Sequence, residues 1–401
     1  MRSLHKLTRL LIAPALITSL YSQAHDIYHE LGLQQRMFSQ SGPIDTQQKG
    51  YTATSLNSFY THSEDENVWA AEAWLRLDPQ DSDRNNLDIR EAYWLHYGDV
   101  DEWQIGLARV FWGVTESVHL VDVINQTDRL EGIDGEDKLG QPMVHYTRYL
   151  EGGQFEFFML PYFRTQKFAS QESRFASPFE IHDSDLFDSH AEQHHIDFAA
   201  RYSQTVEALD YSFNIFKGTD REARFVLSDN QFKPFYGQTA QLGLTVQYLW
   251  GGWAFKTEAK WQSREASTLY NLNKEVVRAA VAGFEYTHVG VFGSQYDLGY
   301  IVEYQLDNRS RDQVLGQNDV FTGTRLAFND SSSSEFIVGA LVDLDDQSYS
   351  LRVEGSMRLS EQIKLELSSY LFKSKSTNLL NGFVSEDMLE LNLFWYFNHD
   401  S

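Results

Sequence analysis

The amino-acid sequence predicts an all-β protein, a transmembrane antiparallel β-barrel of about 18 strands, with 16 the next count the pattern allows. Three observations carry this expectation. From about residue 30 onward, stretches of roughly 9–12 residues alternate apolar and polar side chains, the period-2 pattern of a strand with two different faces. The gaps between these stretches are mostly short and long in turn. Residues 1–24 read as an export signal, and no later run of about 18 apolar residues could make a spanning helix.

In chain order, Arg2, Lys6 and Arg9 form a basic start, residues 10–17 a short apolar core, and Ser22-Gln23-Ala24 a small-residue cleavage site. The expected organisation is a signal peptide over 1–24 and a single barrel domain over 25–401. Alternating segments fall near 30–39, 51–61, 68–78, 87–98, 102–110, 142–150, 154–164, 194–204 and 208–217. They continue near 238–249, 253–263, 276–288, 295–306, 319–329, 335–344, 348–359, 362–373 and 386–397. The stretch 348–359 is the clearest: Tyr349, Leu351, Val353, Met357 and Leu359 share one face, and Ser350, Arg352, Glu354, Ser356 and Arg358 the other. A soluble sandwich also alternates, but its strands run nearer 5–6 residues, whereas a tilted strand needs about 9–11 to cross a bilayer.

Tight gaps lie at 98–102, 151–153, 205–208, 250–253 and 360–361; long ones lie at 111–141, 165–193, 218–237, 264–275, 307–318 and 374–385. Outer-membrane barrels have this asymmetry, with short periplasmic turns and long outside loops. In the last segment Leu389, Leu391, Leu393, Trp395 and Phe397 form an outward stripe, with Glu390, Asn392 and Tyr396 facing in. Such an aromatic-ended final strand resembles the signal read by the barrel assembly machinery. Rings near segment ends, among them Trp69, Trp103, Trp250 and Trp395, fit aromatic girdles.

Composition narrows the function. Fifty-seven Asp and Glu against 33 Lys and Arg give a formal charge of −24, which argues against nucleic acid as a partner. Without cysteine there is no disulfide, thiolate metal site or thiol nucleophile. G-x-S-x-G and H-E-x-x-H motifs are missing, so no enzyme, cofactor or metal site is expected. His194, His195 and Asp197 read as groups at the start of a strand, and Asp183, Asp185 and Asp188 as a solvated loop.

The segment from Phe111 to Asp128 is too apolar for an exposed loop. Val114, Val118 and Val121 recur at helical spacing, with Glu116, His119 and Asp122 on another side. Its apolar face needs a place to bury, and the barrel interior is the nearest. Loop 111–141 is therefore expected to fold inward as a pore constriction, with Arg109, Trp112, Glu116, His119, Asp122, Asn125 and Asp128 meeting the solute. This loop holds seven acids (Glu116, Asp122, Asp128, Glu131, Asp134, Glu136, Asp137) and two bases (Arg129, Lys138). An acidic ring would favour cations and neutral polar solutes. Expected inward wall charges are Arg148, Arg164, Arg201, Arg325, Arg352 and Arg358 against Glu72, Glu156, Asp197, Glu258, Glu303, Asp343 and Glu354.

On this segment, and on residues 134–142, 160–164, 283–287 and 297–300, the chain resembles uncharacterised proteobacterial outer-membrane β-barrel proteins of porin type. The resemblance implies a Gram-negative outer-membrane barrel and gives no substrate. The expected function is a porin-like channel for passive diffusion of small polar or cationic solutes. Expected partners are outer-membrane lipids and lipopolysaccharide, the assembly machinery through the last strand, and small polar solutes; a homotrimer is compatible. Two rival readings are an outer-membrane-embedded hydrolase and a secreted soluble β-sandwich binding protein.

Overall fold

The computed structural model describes residues 24–268, 271–375 and 378–398. The export signal expected over 1–24 lies, apart from Ala24, outside the described residues. The strands are β1 (Ala24–Phe38), β2 (Gly50–Glu64), β3 (Asn67–Leu77), β4 (Asn86–Tyr97), β5 (Asp101–Ala108), β6 (Gln141–Leu150) and β7 (Gly153–Leu160). Then come β8 (Leu186–Phe187), β9 (Asp197–Val206), β10 (Leu209–Thr219), β11 (Arg224–Ser228), β12 (Gln231–Tyr236), β13 (Gln238–Trp250) and β14 (Trp253–Thr268). The last are β15 (Asn271–His288), β16 (Asp297–Asp307), β17 (Asn318–Ala327), β18 (Glu335–Asp343), β19 (Tyr349–Arg358), β20 (Ile363–Lys373) and β21 (Met388–Asn398).

Eighteen of these strands form one antiparallel sheet, which closes because β1 pairs with β2 on one side and β21 on the other. Closure removes the sheet edges and excludes the sandwich reading. Strands β8, β11 and β12 make a separate three-stranded sheet within the long connections. The short turns are tight enough to need a left-handed backbone, which Gly152 (φ +77°) and Gly251 (φ +59°) adopt without steric cost.

Four expectations change. β1 begins six residues before the alternation is evident, and β7 stops at Leu160, so Arg164 belongs to the following connection, paired with Asp88 at 2.6 Å. The loop expected over 264–275 is instead the top of a long β14–β15 hairpin, with Arg264 opposite Glu275 and their side chains 2.7 Å apart. Its polar strands lack the apolar face by which a spanning strand is recognised. Arg148 faces outward, opposite Asp101 at the short-turn end, where a charge is tolerated near the interface.

Outward positions carry the apolar belt: Leu31, Leu33, Phe213, Leu242, Tyr300 and Leu393 are all exposed, as are Trp69, Trp103, Trp250 and Trp395 toward the short turns. Inward positions divide by height. Toward the long connections Gln34, Arg36, Arg76, Thr239, Gln262, Gln305 and Asp319 are buried. Toward the short turns Asn57, Arg201, Glu285, Glu354 and Lys364 stay half-buried. Among these inward positions the buried ones lie toward the long connections.

Candidate functional site

Residues 109–140 join β5 to β6 without forming a helix, despite the spacing of Val114, Val118 and Val121. Gly113, Thr115 and Ser117 have weak helix propensity, and wall carboxylates take the backbone N–H groups a helix would use. The base of the segment is stapled by Asn125. Its Nδ2 donates to the carbonyls of Ala108 and Leu139, both at 2.9 Å, and its Oδ1 accepts from the Val110 amide at 2.8 Å. Three bonds nearly exhaust a buried amide's capacity. Beside it, Trp112 (1% exposed), Val121 and Ile124 pack on Met143, Phe158, Ala199 and Phe216 of the wall.

The tip is held from the far side. Glu258 of β14, fully buried, accepts from the amides of Val114 (2.7 Å), Thr115 (3.1 Å) and Leu120 (2.7 Å) and from the Thr115 hydroxyl (2.9 Å). Glu303 of β16 accepts from the amides of Glu116 and Ser117, both at 2.8 Å, while Gln305 donates to Ser117 Oγ at 2.7 Å. From β5 the ring runs through β6, β7, β9, β10, β13, β14 and β15 before reaching β16, close to half-way round the 18 strands. The segment is thus rooted at β5 and tied by hydrogen bonds to β14 and β16.

Wall groups also meet its charges. Glu116 pairs with Arg325 of β17 (2.6 Å) and Arg352 of β19 (3.4 Å). Although burial works against ionisation, the Arg325 guanidinium holds the Glu116 carboxyl below the usual carboxylate range. Asp122 pairs with Lys138 (3.1 Å), Asp128 with Arg90 (2.8 Å) and Glu131 with Arg76 (2.5 Å); Arg36 donates to the Glu131 carbonyl, and Asp134 accepts from the Tyr370 hydroxyl at 3.2 Å. His119 sits 3.0 Å from Glu136 and 3.9 Å from Glu258. Burial would lower its pKa, but hydrogen bonds and charge from the two carboxylates outweigh this and push it up to about 10.

The seven expected residues therefore do not share one surface. Trp112, Asn125 and Asp128 and the Asp122 side chain are buried and fix the shape of the segment. Arg109, paired with Glu72 and Glu91, and Glu116 and His119 lie at its margins, each in an ion pair. Sequence reasoning placed Glu258 and Glu303 on the inner wall but missed their role as clamps. It also missed the cluster of Arg36, Arg76, Arg84 and Arg90, in which the Arg76 and Arg90 guanidiniums lie 4.9 Å and 4.6 Å from the centroid of the Trp74 ring. The alternation of Trp74 with Arg76 in β3 was the available signal.

No family model and no curated protein sequence matches this chain. Among solved structures it is similar to Wzi of Escherichia coli, an outer-membrane protein involved in group 1 capsule assembly and a carbohydrate-binding β-barrel. Identity there is 9%, over 98% of this chain and 88% of that one, with a TM-score of 0.56. It is also similar to OpdQ of Pseudomonas aeruginosa (11% identity, 94% and 99% covered, TM-score 0.52). OccK3 of the same organism gives 10% identity, 94% and 95% covered, and a TM-score of 0.51. At these identities the likeness is one of fold, that of an outer-membrane β-barrel.

Proposed function

We propose that this chain is an outer-membrane, porin-like channel for passive diffusion of small polar solutes, with segment 109–140 as its constriction, and that it transports rather than catalyses. The observation that carries the reading is the clamp of Glu258 and Glu303 on residues 114–121, which draws the segment across the lumen. An 18-stranded barrel is wider than its own side chains can fill, so such a crossing narrows a water-filled passage instead of lining a core. The outward apolar belt supports contact with membrane lipid; contact with lipopolysaccharide, export through residues 1–24 and assembly through β21 belong to the same proposal. A homotrimer accords with the same reading.

The acid count of the loop favoured cations; the paired geometry shifts the expectation. Glu116 is balanced by Arg325 and Arg352, and Asp122 by Lys138, which leaves little net field at the crossing. Neutral polar solutes fit this better than ions of either sign. Purified protein in a planar bilayer should produce ohmic single-channel steps. A barrel that inserts but conducts no ions contradicts the proposal.

A further inference from the structure

Four rings face the lumen on three adjacent strands: Tyr28 of β1, Phe59 of β2, and Phe394 and Tyr396 of β21. Tyr28 and Phe59 lie opposite each other in the ladder and stack with centroids 4.4 Å apart and planes 13° from parallel. Next along the wall, Tyr396 stands opposite Glu30, and Arg358 lies over its ring at 4.9 Å. Phe394 stands opposite Gly32, where an added Cβ would come within 3.1 Å of the ring and 2.4 Å of Ser55 Oγ; the glycine lets the ring lie against the wall. All four rings are half-buried, in the half of the lumen that the long connections leave open.

On the outer face of a barrel such rings would simply meet lipid. On a wet inner wall they leave apolar surface in water, which costs free energy unless a passing molecule covers it. The polar groups beside them are already engaged: Lys364, opposite Phe394, lies 2.7 Å from Glu366, and Arg358 donates to the Glu361 carbonyl at 3.2 Å. A wall of rings edged by groups already engaged with protein partners has little to offer a free ion. It matches a pyranose, which presents a C–H face to a ring and equatorial hydroxyls to carboxylate and ammonium neighbours.

We propose that Tyr28, Phe59, Phe394 and Tyr396 form a track for neutral saccharides on the short-turn half of the inner wall. This rests on the channel reading and names its solute class. The test is ion-current interruption in planar bilayers by maltotriose, with a polyethylene glycol of matched hydrodynamic size as the non-sugar probe. Maltotriose should interrupt the current and the polymer should do so far less. Tyr28→Leu with Phe59→Leu keeps apolar volume but removes the stack, and should shorten sugar residence about tenfold. Tyr28→Phe should restore most of it. Folding is checked by the change in gel mobility on heating; if the double variant fails to fold, Tyr396→Leu takes its place.

Equal interruption by both probes, or unchanged residence in the leucine variants, overturns the track while leaving the channel. If the protein conducts no ions, the channel reading falls alone, and saturation-transfer NMR of maltotriose with solubilised protein decides the track. Transfer to the sugar C–H protons that the leucine variants abolish supports it; no transfer overturns it.

Discussion

In the half of the lumen beside the long connections, inward side chains are buried in ion pairs. Arg36 meets Glu390 at 2.5 Å, Arg84 meets Asp78 at 2.7 Å, and Arg174 of the 161–196 connection meets Glu386 at 2.8 Å beneath the Phe38 ring. In the half beside the short turns several inward groups, among them Asn57, Glu354 and Lys364, are half-buried although Thr147, Glu156 and Ser212 are buried, and on the outer face the pair Arg148–Asp101 is 3.6 Å long, with side chains 45% and 33% exposed. Both regions are rich in charge, yet the energetics differ. Removing one partner of a buried pair costs about 3–5 kcal/mol because the other charge is stranded, whereas an exposed pair contributes about 0–1 kcal/mol. Charge in the first region holds connections in place; charge in the second stays available to water and solute.

The largest effect that would test this contrast is at Glu258. Glu258→Ala strands several buried amide donors, each costing about 1–3 kcal/mol. Residues 114–121 should be released, with single-channel conductance rising several-fold and new protease cleavage between 113 and 121. Unaltered conductance and resistance would break the contrast. Next comes Arg174→Ala, which should lower hydrogen-exchange protection across 39–49 and 378–387, because Arg174 also donates to the carbonyls of Gln40 (2.8 Å) and Ser385 (2.7 Å).

Selectivity gives a smaller, signed effect. Glu116→Gln uncovers Arg325 and Arg352, so the reversal potential in a salt gradient should move toward anion preference, while Arg325→Gln should move it toward cations. Neutralising Asp183 and Asp185 in the outer connection should change little at physiological salt, where the Debye length is about 8 Å. A milder effect is pH-dependent. The folded pKa of His119 is raised, to about 10, so the stabilisation from its charged form is complete below its ordinary value of 6.5. That stabilisation is lost as pH rises through about 10. Conductance fluctuations should grow between those values, and His119→Gln should remove the dependence. Least of all, Arg148→Ala should cost under about 1 kcal/mol and leave conductance unchanged.

The barrel was largely legible in the sequence because lipid imposes a strict period on each strand; β16 and β19 alternate almost without interruption. Where lipid ends, legibility ends too. The β14–β15 extension beyond residue 264 is polar on both faces, and Arg148 sits where the interface tolerates either side. In the site, the apolar character of 111–128 was visible, but the groups that fix it were not. Glu258 and Glu303 lie 144 and 187 residues from the amides they accept from, a separation that local pattern cannot bridge. Valine spacing pointed to a helix only because those acceptors were unknown.

The most direct test of the crossing is a short bifunctional thiol cross-linker between Ser117→Cys and Gln305→Cys, replacing the 2.7 Å contact that the long Gln305 side chain makes with Ser117, in a chain with no cysteine of its own. Treating outer membranes that carry the double variant with the cross-linker should yield the 117–305 link, read by mass spectrometry of the cleaved peptides. Two free thiols, with position 117 open to a bulky impermeant reagent from outside, would mean that the segment lies over the mouth and does not cross the lumen.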